Sequence, residues 1–380
     1  MIEVVAAKAR FLVTLQGAED QCVKEAGIRV DAGRKADTQA SIAEAESRLR
    51  TQEIIGIPNK GKEGLGIKPR KYFSKEGKKE KRRMVVSMVR QMEEEKRTVK
   101  MTGLIKQGAP MNWEVPERRL SSKDVIGMQE GGIGYLVKTV YDLLPTPENK
   151  NKWFATEEGC QLCGGTGSMS HILCGCPIAL GQGRYRWRHD QVLKEIAHHV
   201  EEKRKENNSN PRSRVPQIDF VKAGERIQKA RQKGKKTRSY LDGAADWRMQ
   251  VDLDRRLKVP EEVAPSNLRP DLILVSDSAK KMGVMELTVP NEDRVEVSNE
   301  MKRSKYASLQ VEGKKRGWSV QVWAVEVGCR GFPAGSMATF LNDLGFSGAS
   351  KRRVLRKVGE ATEKESKWIW CSSQRKEWGK

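Results

Sequence analysis

Two short segments of the chain, residues 269–275 and 284–290, each place one carboxylate inside an apolar and partly β-branched run. The first carries Asp271 and the second carries Glu286, with fourteen residues between the two. Such runs are typical of buried strands, where a carboxylate is costly unless it is paired, protonated or bound to a cation. On adjacent strands of a hairpin, the two carboxylates could converge on one divalent cation, as a metal-dependent phosphodiesterase requires.

Metal-assisted phosphodiester hydrolysis also needs an activated water and a cation that stabilises the charge developing on the phosphorane. Lys302 and Lys305 lie on the helix predicted after the second strand and are candidates for that cation. Tyr306 could hold a water or a phosphate, and Asp252 is a possible third carboxylate. The residues alone also allow a structural alternative, in which the carboxylates pair with Arg269 or a nearby lysine at strand ends.

A second group of residues has the spacing of a metal site. Its members form a Cys-x2-Cys-x7-His-x4-Cys pattern in a glycine-rich segment: Cys160, Cys163, His171 and Cys176. A Cys-x2-Cys step lets both thiolates reach one ion from a tight turn, so we expect structural Zn²⁺ here. Cys174 is an alternative fourth ligand, and a set of buried free thiols is the alternative to a metal site. Protein side chains would fill all four coordination positions of the zinc. Such a knuckle stabilises the local fold and often contacts nucleic acid, and it has no open position for catalysis.

The composition indicates a polyanionic partner. The formal net charge is +22 and the isoelectric point is about 9.7, which favours nucleic acid over a membrane surface. No apolar run approaches the roughly eighteen residues of a membrane-spanning helix, so we expect a soluble intracellular protein without a membrane partner. Four of the seven cysteines fall within residues 160–176, which in a reducing compartment favours metal over disulfides.

Positive charge is concentrated in two segments. Residues 60–90 contain twelve Lys or Arg against three Glu and lead from a glycine-rich arm into a helix predicted around 80–96. That helix has an apolar stripe, so two interpretations are open. The helix could contact nucleic acid directly, or its apolar stripe could pack against a core while its basic face is solvated. Residues 226–238 carry seven cationic side chains and no acid, which indicates a mobile insertion next to a polyanion. The candidate contacts in this insertion are Arg231, Lys233, Lys235 and Lys236.

The order of elements after residue 246 predicts an α/β fold. A strand at 247–253 precedes the two acidic strands, which are followed by a helix at 295–316 and a strand at 319–327. Helices are also predicted at 130–146, 184–205, 337–344 and 351–365. We divide the chain into a basic, partly flexible helical region (1–106), a helical linker region (107–159), a zinc knuckle (160–182), a helix with a basic linker (183–240) and an α/β domain (241–370).

Four features together resemble the C-terminal region of the polyproteins of site-specific non-LTR retrotransposons. They are the spacing of the knuckle, the triplet Arg188-His189-Asp190 at the start of a helix, the pair Asp271 and Glu286, and the motif Lys302-x3-Tyr306. In that family a CCHC zinc knuckle precedes a restriction-like endonuclease of the PD-(D/E)xK superfamily. The resemblance covers about residues 107–370.

The resemblance implies a PD-(D/E)xK restriction-endonuclease-like core, a mixed sheet flanked by helices, preceded by the basic helical region and the knuckle. It implies that Asp271 and Glu286 bind Mg²⁺ or Mn²⁺. Lys302, with Lys305 as a possible substitute, would be a catalytic lysine that has moved from the second strand to the next helix. Thr288 stands where an ordinary enzyme of the superfamily keeps its lysine.

The resemblance also implies a nuclear DNA endonuclease that nicks target DNA, with cytoplasmic transit as a ribonucleoprotein. Its partners would be DNA and element RNA, and it would bind the target as a homodimer. Arg188, His189 and the basic segments would hold the nucleic-acid backbone. The family's reverse transcriptase lies upstream. The chain shows no polymerase Asp-Asp motif, so we expect that domain to be absent and the chain to be a truncated or host-retained copy. Two alternatives are a catalytically silent nucleic-acid-binding remnant and an RNA-binding protein that uses the α/β unit as a scaffold.

Overall fold

The computed structural model describes residues 77–104, 108–113, 131–209 and 239–378, together with isolated positions at 7–21, 126 and 128. The chain divides into two compact units, Met1–Met111 and Asn112–Lys380. The predicted basic contacts Arg231, Lys233, Lys235 and Lys236 lie outside the described residues, as does the basic arm before residue 77.

In the first unit, helix α1 spans Lys78–Thr102 and confirms the helix predicted around 80–96. Its sequence is rich in Lys, Arg, Glu and Met, which have high helix propensity, and it begins after Gly77 and ends at Gly103. Glu80 in the first turn and Lys100 in the last turn complement the helix dipole. The side chain of Val89 is buried.

The described part of the second unit contains a five-stranded mixed sheet with the order β1-β2-β3-β4-β5. The first three strands form an antiparallel meander, β3 and β4 are parallel, and β5 pairs with β4 antiparallel. The parallel pair needs a crossover, which the helix Val295–Lys315 supplies. The strands are β1 Arg248–Val251, β2 Leu272–Ser276, β3 Lys281–Thr288, β4 Ser319–Gly328 and β5 Phe332–Pro333.

Helices lie on both faces of the sheet, so the predicted α/β class with a mixed sheet is confirmed at this level. The helices of this unit are α2 Gly132–Val140, α3 Pro147–Phe154, α4 Pro177–Gly181, α5 Arg184–Ser209, α6 Val295–Lys315, α7 Gly335–Asp343 and α8 Gly348–Cys371. Within the described ranges, no helix is both long enough and apolar enough to cross a membrane.

The single helix predicted over 130–146 is wrong in its extent. Helix α2 ends at Val140, and Pro147 begins α3 instead of only stopping the helix before it. Thr146 caps α3, because its hydroxyl oxygen accepts a hydrogen bond from the Asn149 N–H at 3.1 Å. Proline suits the first position of a helix, since its missing N–H would have no partner there.

Successive residues of β3 alternate between the two faces of the sheet. Met285 and Leu287 pack with Trp323 in the core against α5, α7 and α8. Val284 packs with Tyr306 in the core against α6. Both faces are therefore apolar, which explains the nearly continuous apolar run of β3, and residues 286 and 288 belong to the α6 face.

Candidate metal centres

The structure places Asp271 and Glu286 next to each other on two strands of a hairpin. Leu272 pairs with Met285 in the antiparallel register of β2 and β3, and Asp271 directly precedes β2. Asp271 Oδ2 accepts a hydrogen bond from the Leu287 N–H at 2.7 Å. Among the described residues the charged neighbour of Asp271 is His189 and not Arg269, whereas Glu286 pairs with lysines, as the structural alternative allows. The predicted hairpin is confirmed.

Helix α6 brings three polar side chains to Glu286. The Oε1 atom accepts hydrogen bonds from Lys302 Nζ at 2.6 Å and from Lys305 Nζ at 3.2 Å. The Oε2 atom accepts one from the Tyr306 hydroxyl at 2.7 Å. Glu286 is only 3% exposed, and a carboxylate at such depth needs compensating charge and hydrogen bonds. The two lysines supply that charge, and Lys302 is the less exposed of the two.

Tyr306 is fully buried, and its hydroxyl orients Glu286. Burial raises the pKa of Tyr306 well above its usual value, and the adjacent charge of Glu286 raises it further. The phenol therefore stays protonated and keeps donating to the carboxylate. We expected Tyr306 to hold a water or a phosphate; the structure instead places its hydroxyl on Glu286.

His189 connects helix α5 to the carboxylate pair. Its Nε2 lies 3.4 Å from Asp271 Oδ2, and its Nδ1 lies 3.0 Å from Asp190 Oδ1. Burial alone lowers the pKa of His189, but the hydrogen bonds to Asp190 and Asp271 outweigh it and raise the pKa to about 9. Both ring nitrogens face carboxylates in this structure, and the contact of His189 with the nucleic-acid backbone stays a prediction.

Arg188 is 1% exposed, so its predicted contact with nucleic acid is wrong for this structure. Its guanidinium donates to Ser366 Oγ at 3.0 Å and to the Val289 carbonyl at 3.1 Å. Ser366 lies on α8, and Val289 follows β3. Arg188 therefore ties α5 to α8 and to the end of the strand that carries Glu286. A buried arginine needs such acceptors, because its planar group has five donors.

Asp252, the possible third carboxylate, closes a turn beside the site. Its Oδ1 accepts hydrogen bonds from the N–H groups of Arg256 at 2.8 Å and Leu257 at 3.3 Å. Its own backbone N–H donates to the Asp271 carbonyl at 2.8 Å. Asp252 thereby fixes the chain that enters β2.

Glu326, a further acidic residue on the α6 face, was missed by the sequence analysis. It is fully buried in β4 and is the register partner of Thr288. Its Oε2 accepts hydrogen bonds from Asn299 Nδ2 at 2.9 Å and Ser336 Oγ at 2.6 Å. Burial raises the pKa of Glu326, whereas the charge of Lys302 lowers it. The available signal was the one that identified Asp271 and Glu286: a carboxylate inside an apolar strand.

Two buried oxygen atoms at this place have no hydrogen-bond partner among the described residues. They are Glu326 Oε1 and Thr288 Oγ1, and they belong to residues that face each other across β3 and β4. Buried polar atoms are nearly always hydrogen-bonded, so such a pair marks a place where a further polar group is accommodated.

The four predicted knuckle residues converge. The ligand atoms of Cys160, Cys163, His171 and Cys176 all lie within 4.8 Å of one another, and Cys163 Sγ lies 3.2 Å from His171 Nε2. Tetrahedral zinc with bonds of about 2.3 Å to sulfur and about 2.0 Å to nitrogen implies ligand separations of roughly 3.5–3.8 Å. This set could therefore bind a metal such as zinc.

Local structure fixes which cysteine completes the set. Cys176 belongs to it, whereas Cys174 packs into a core cluster that contains Cys329, and its Sγ lies 3.7 Å from Arg188 Nη2. Gly164 turns the chain after Cys163 with a φ of 72°, and the Gly165 N–H donates to Cys163 Sγ at 3.4 Å. This hydrogen bond lowers the pKa of Cys163. The open choice between Cys174 and Cys176 is settled in favour of Cys176.

The knuckle is joined to the rest of the second unit. The Tyr185 hydroxyl accepts a hydrogen bond from the Cys176 N–H at 3.0 Å. Arg184 donates to the carbonyls of Ser372 and Arg375, each at 2.6 Å. These contacts attach the knuckle and the start of α5 to the segment that follows α8.

The fold and these centres define an α/β protein with a buried carboxylate–lysine cluster and a separate Cys3His cluster. No protein-family model matches the chain, and no curated protein matches it. The geometry of the two centres therefore carries the functional argument.

Proposed function

We propose that this protein is a metal-dependent endonuclease of non-LTR retrotransposon origin, with a PD-(D/E)xK core, that nicks DNA. The main support is the convergence of Asp271, Glu286 and Lys302 at one end of the β2–β3 hairpin. Their order along the chain is that of the family motif, and their mutual positions depend on strand pairing and on α6.

Asp271 and Glu286 would hold Mg²⁺ or Mn²⁺, since both ions prefer carboxylate oxygens. The bound cation would lower the pKa of a water and neutralise charge on the phosphate. Leu287 orients Asp271 through its N–H, and Tyr306 orients Glu286 through its hydroxyl. Lys302, whose side chain is 26% exposed, would stabilise the charge that develops on the reacting phosphate. On this proposal Lys302 replaces the lysine that an ordinary enzyme of the superfamily keeps at the position of Thr288.

The Cys3His cluster would hold structural zinc and support contact with nucleic acid. The net charge of +22 supplies the long-range attraction for DNA and for element RNA. On this proposal the protein works in the nucleus, after cytoplasmic transit with its RNA, and it acts on target DNA as a homodimer.

One observation favours the alternative of a catalytically silent nucleic-acid-binding remnant. Both oxygens of Glu286 are engaged by Lys302, Lys305 and Tyr306, so the cluster is satisfied as a purely structural ion pair. A cation that binds Glu286 must displace at least one of these groups.

Nicking of supercoiled plasmid distinguishes the two functions. Zinc-loaded protein is incubated with plasmid and Mg²⁺ or Mn²⁺, and the wild type is compared with Asp271→Asn and Glu286→Gln. We expect the wild type to nick and both variants to lose at least a hundredfold in rate, on the order of one lost electrostatic contact at a reacting centre. The matched control is Glu300→Gln, an exposed acid on α6, which should nick like the wild type. Equal DNA binding without nicking by the wild type would establish the silent remnant.

A further inference from the structure

We propose that Glu326 is a positioning residue that receives the ammonium group of Lys302 when Glu286 binds a divalent cation. The inference rests on the proposed function, because it concerns the same centre. It assigns a role to a residue outside the motifs that carry the family resemblance.

The first step of the argument is competition at Glu286. Lys302 Nζ lies 2.6 Å from Oε1, and the Tyr306 hydroxyl lies 2.7 Å from Oε2. A divalent cation at Oε1 would repel the ammonium there, and the phenol, which stays protonated, can remain on Oε2. Lys305, the more exposed of the two lysines on Oε1, can turn to solvent, whereas Lys302 is less exposed and has to find another anion.

The second step is the position of Glu326 relative to Lys302. Asn299 lies one helical turn before Lys302 on α6, and its amide donates to Glu326 Oε2 at 2.9 Å. The face of α6 that bears Lys302 thus contacts both carboxylates. Along the sheet, the register partner of Glu286 is Ala324, which has no side chain beyond Cβ to separate the two acids.

The third step is the state of the Glu326 carboxylate. Asn299 and Ser336 hold one oxygen, whereas Oε1 is buried without a hydrogen-bond partner among the described residues. Thr288 Oγ1, on the adjacent strand, is in the same condition. A fixed carboxylate with one open oxygen beside an open hydroxyl is suited to accept an ammonium group, which has three donors.

Loss of Glu326 should therefore weaken cation binding by Asp271 and Glu286, although Glu326 is not itself a ligand. Without this acceptor, Lys302 keeps its place on Glu286 and competes with the cation. If Lys302 is removed as well, the ammonium group that Glu326 would receive is gone, and the identity of residue 326 no longer matters. A residue that merely supports the fold would not show such a dependence on Lys302.

The test is calorimetric titration of the zinc-loaded full chain with Mn²⁺, compared among wild type, Glu326→Gln, Lys302→Met and the double variant. Asp271→Asn identifies the heat that belongs to the carboxylate centre. We expect Glu326→Gln to bind Mn²⁺ on the order of tenfold more weakly than the wild type, a typical coupling between groups in contact. We expect the double variant to bind like Lys302→Met.

The outcomes separate the inference from the proposed function. Equal Mn²⁺ affinity of Glu326→Gln and wild type overturns the inference and leaves the nuclease proposal intact. Absence of any Mn²⁺ binding that depends on Asp271 in the wild type contradicts the nuclease proposal itself, and the inference with it. If Glu326→Gln does not fold, Glu326→Asp replaces it. Its shorter side chain withdraws the carboxylate, the same loss should follow, and unchanged affinity is the contradicting result.

Discussion

At the scale of single residues, the centre is a set of carboxylates held by different partners. Asp271 faces a backbone N–H and His189, and Glu286 faces two lysines and a tyrosine. Glu326 faces an amide and a hydroxyl. Among these groups, His189 is the one whose ordinary pKa lies near neutral pH, and its carboxylate partners raise that pKa to about 9.

The pKa of His189, raised to about 9, predicts a pH dependence of stability. A raised folded-state pKa stabilises the fold fully below the unfolded value of 6.5, and this contribution is lost as the pH rises through about 9. We expect the difference in unfolding free energy between wild type and His189→Gln to reach roughly 1–3 kcal/mol at pH 6 and to shrink by pH 9.5.

Urea unfolding of both proteins at several pH values, without added Mg²⁺, measures this difference. His198→Gln is the control, since that side chain is 65% exposed on the same helix. A difference between wild type and His189→Gln that stays constant from pH 6 to 9.5 would show that His189 is not held in its charged form.

At the scale of elements, the position of α6 relative to the sheet decides whether the site exists. Lys302, Lys305 and Tyr306 all come from this helix, and Glu286 comes from β3. Gly313 allows the close approach at the far end of α6, because a Cβ added there would lie 2.3 Å from Val320 Cγ2 on β4. A contact this short cannot be accommodated without movement of the helix or of Val320.

We therefore predict that Gly313→Ala is destabilising despite the higher helix propensity of alanine. The propensity gain is about 1 kcal/mol, and overpacking against Val320 costs roughly 1–3 kcal/mol. The net loss of stability should be partly recovered in Gly313→Ala/Val320→Ala, where room is made for the added methyl group. Thermal unfolding of the two single variants and the double variant measures this. A Gly313→Ala protein more stable than the wild type would mean that α6 can shift without strain.

At the scale of the whole molecule, the described part of the second unit combines the knuckle, the long helix α5 and the sheet in one compact body. The described residues of the predicted segments 160–182, 183–240 and 241–370 all belong to this unit. Arg184 joins the knuckle end of α5 to the segment after α8, and Arg188 joins α5 to β3. Loss of metal from the knuckle should therefore lower the stability of the whole unit.

Zinc removal tests this connection. We expect about one zinc per chain in the wild type and none in Cys163→Ser, with a loss of stability of several kcal/mol, because the binding energy of a structural zinc contributes to folding. Cys174→Ser is the matched control and should retain zinc, since Cys174 lies outside the ligand set. Elemental analysis gives the stoichiometry, and thermal unfolding gives the stability. Zinc loss in Cys174→Ser but not in Cys176→Ser would contradict the assignment of the fourth ligand.

The sequence by itself determined the α/β class, the hairpin that carries Asp271 and Glu286, and three members of the Cys3His set, Cys160, Cys163 and His171. These follow from local patterns: apolar runs with a single acid, helical periodicity, and cysteine spacing that one loop can close. Only the tertiary structure decided that Arg188 is buried, that His189 lies beside Asp271, that Cys176 and not Cys174 completes the metal set, and that Glu326 joins the α6 face. The physical reason is that burial and charge pairing depend on residues far apart in the chain, and no local pattern shows which acid a basic side chain will meet.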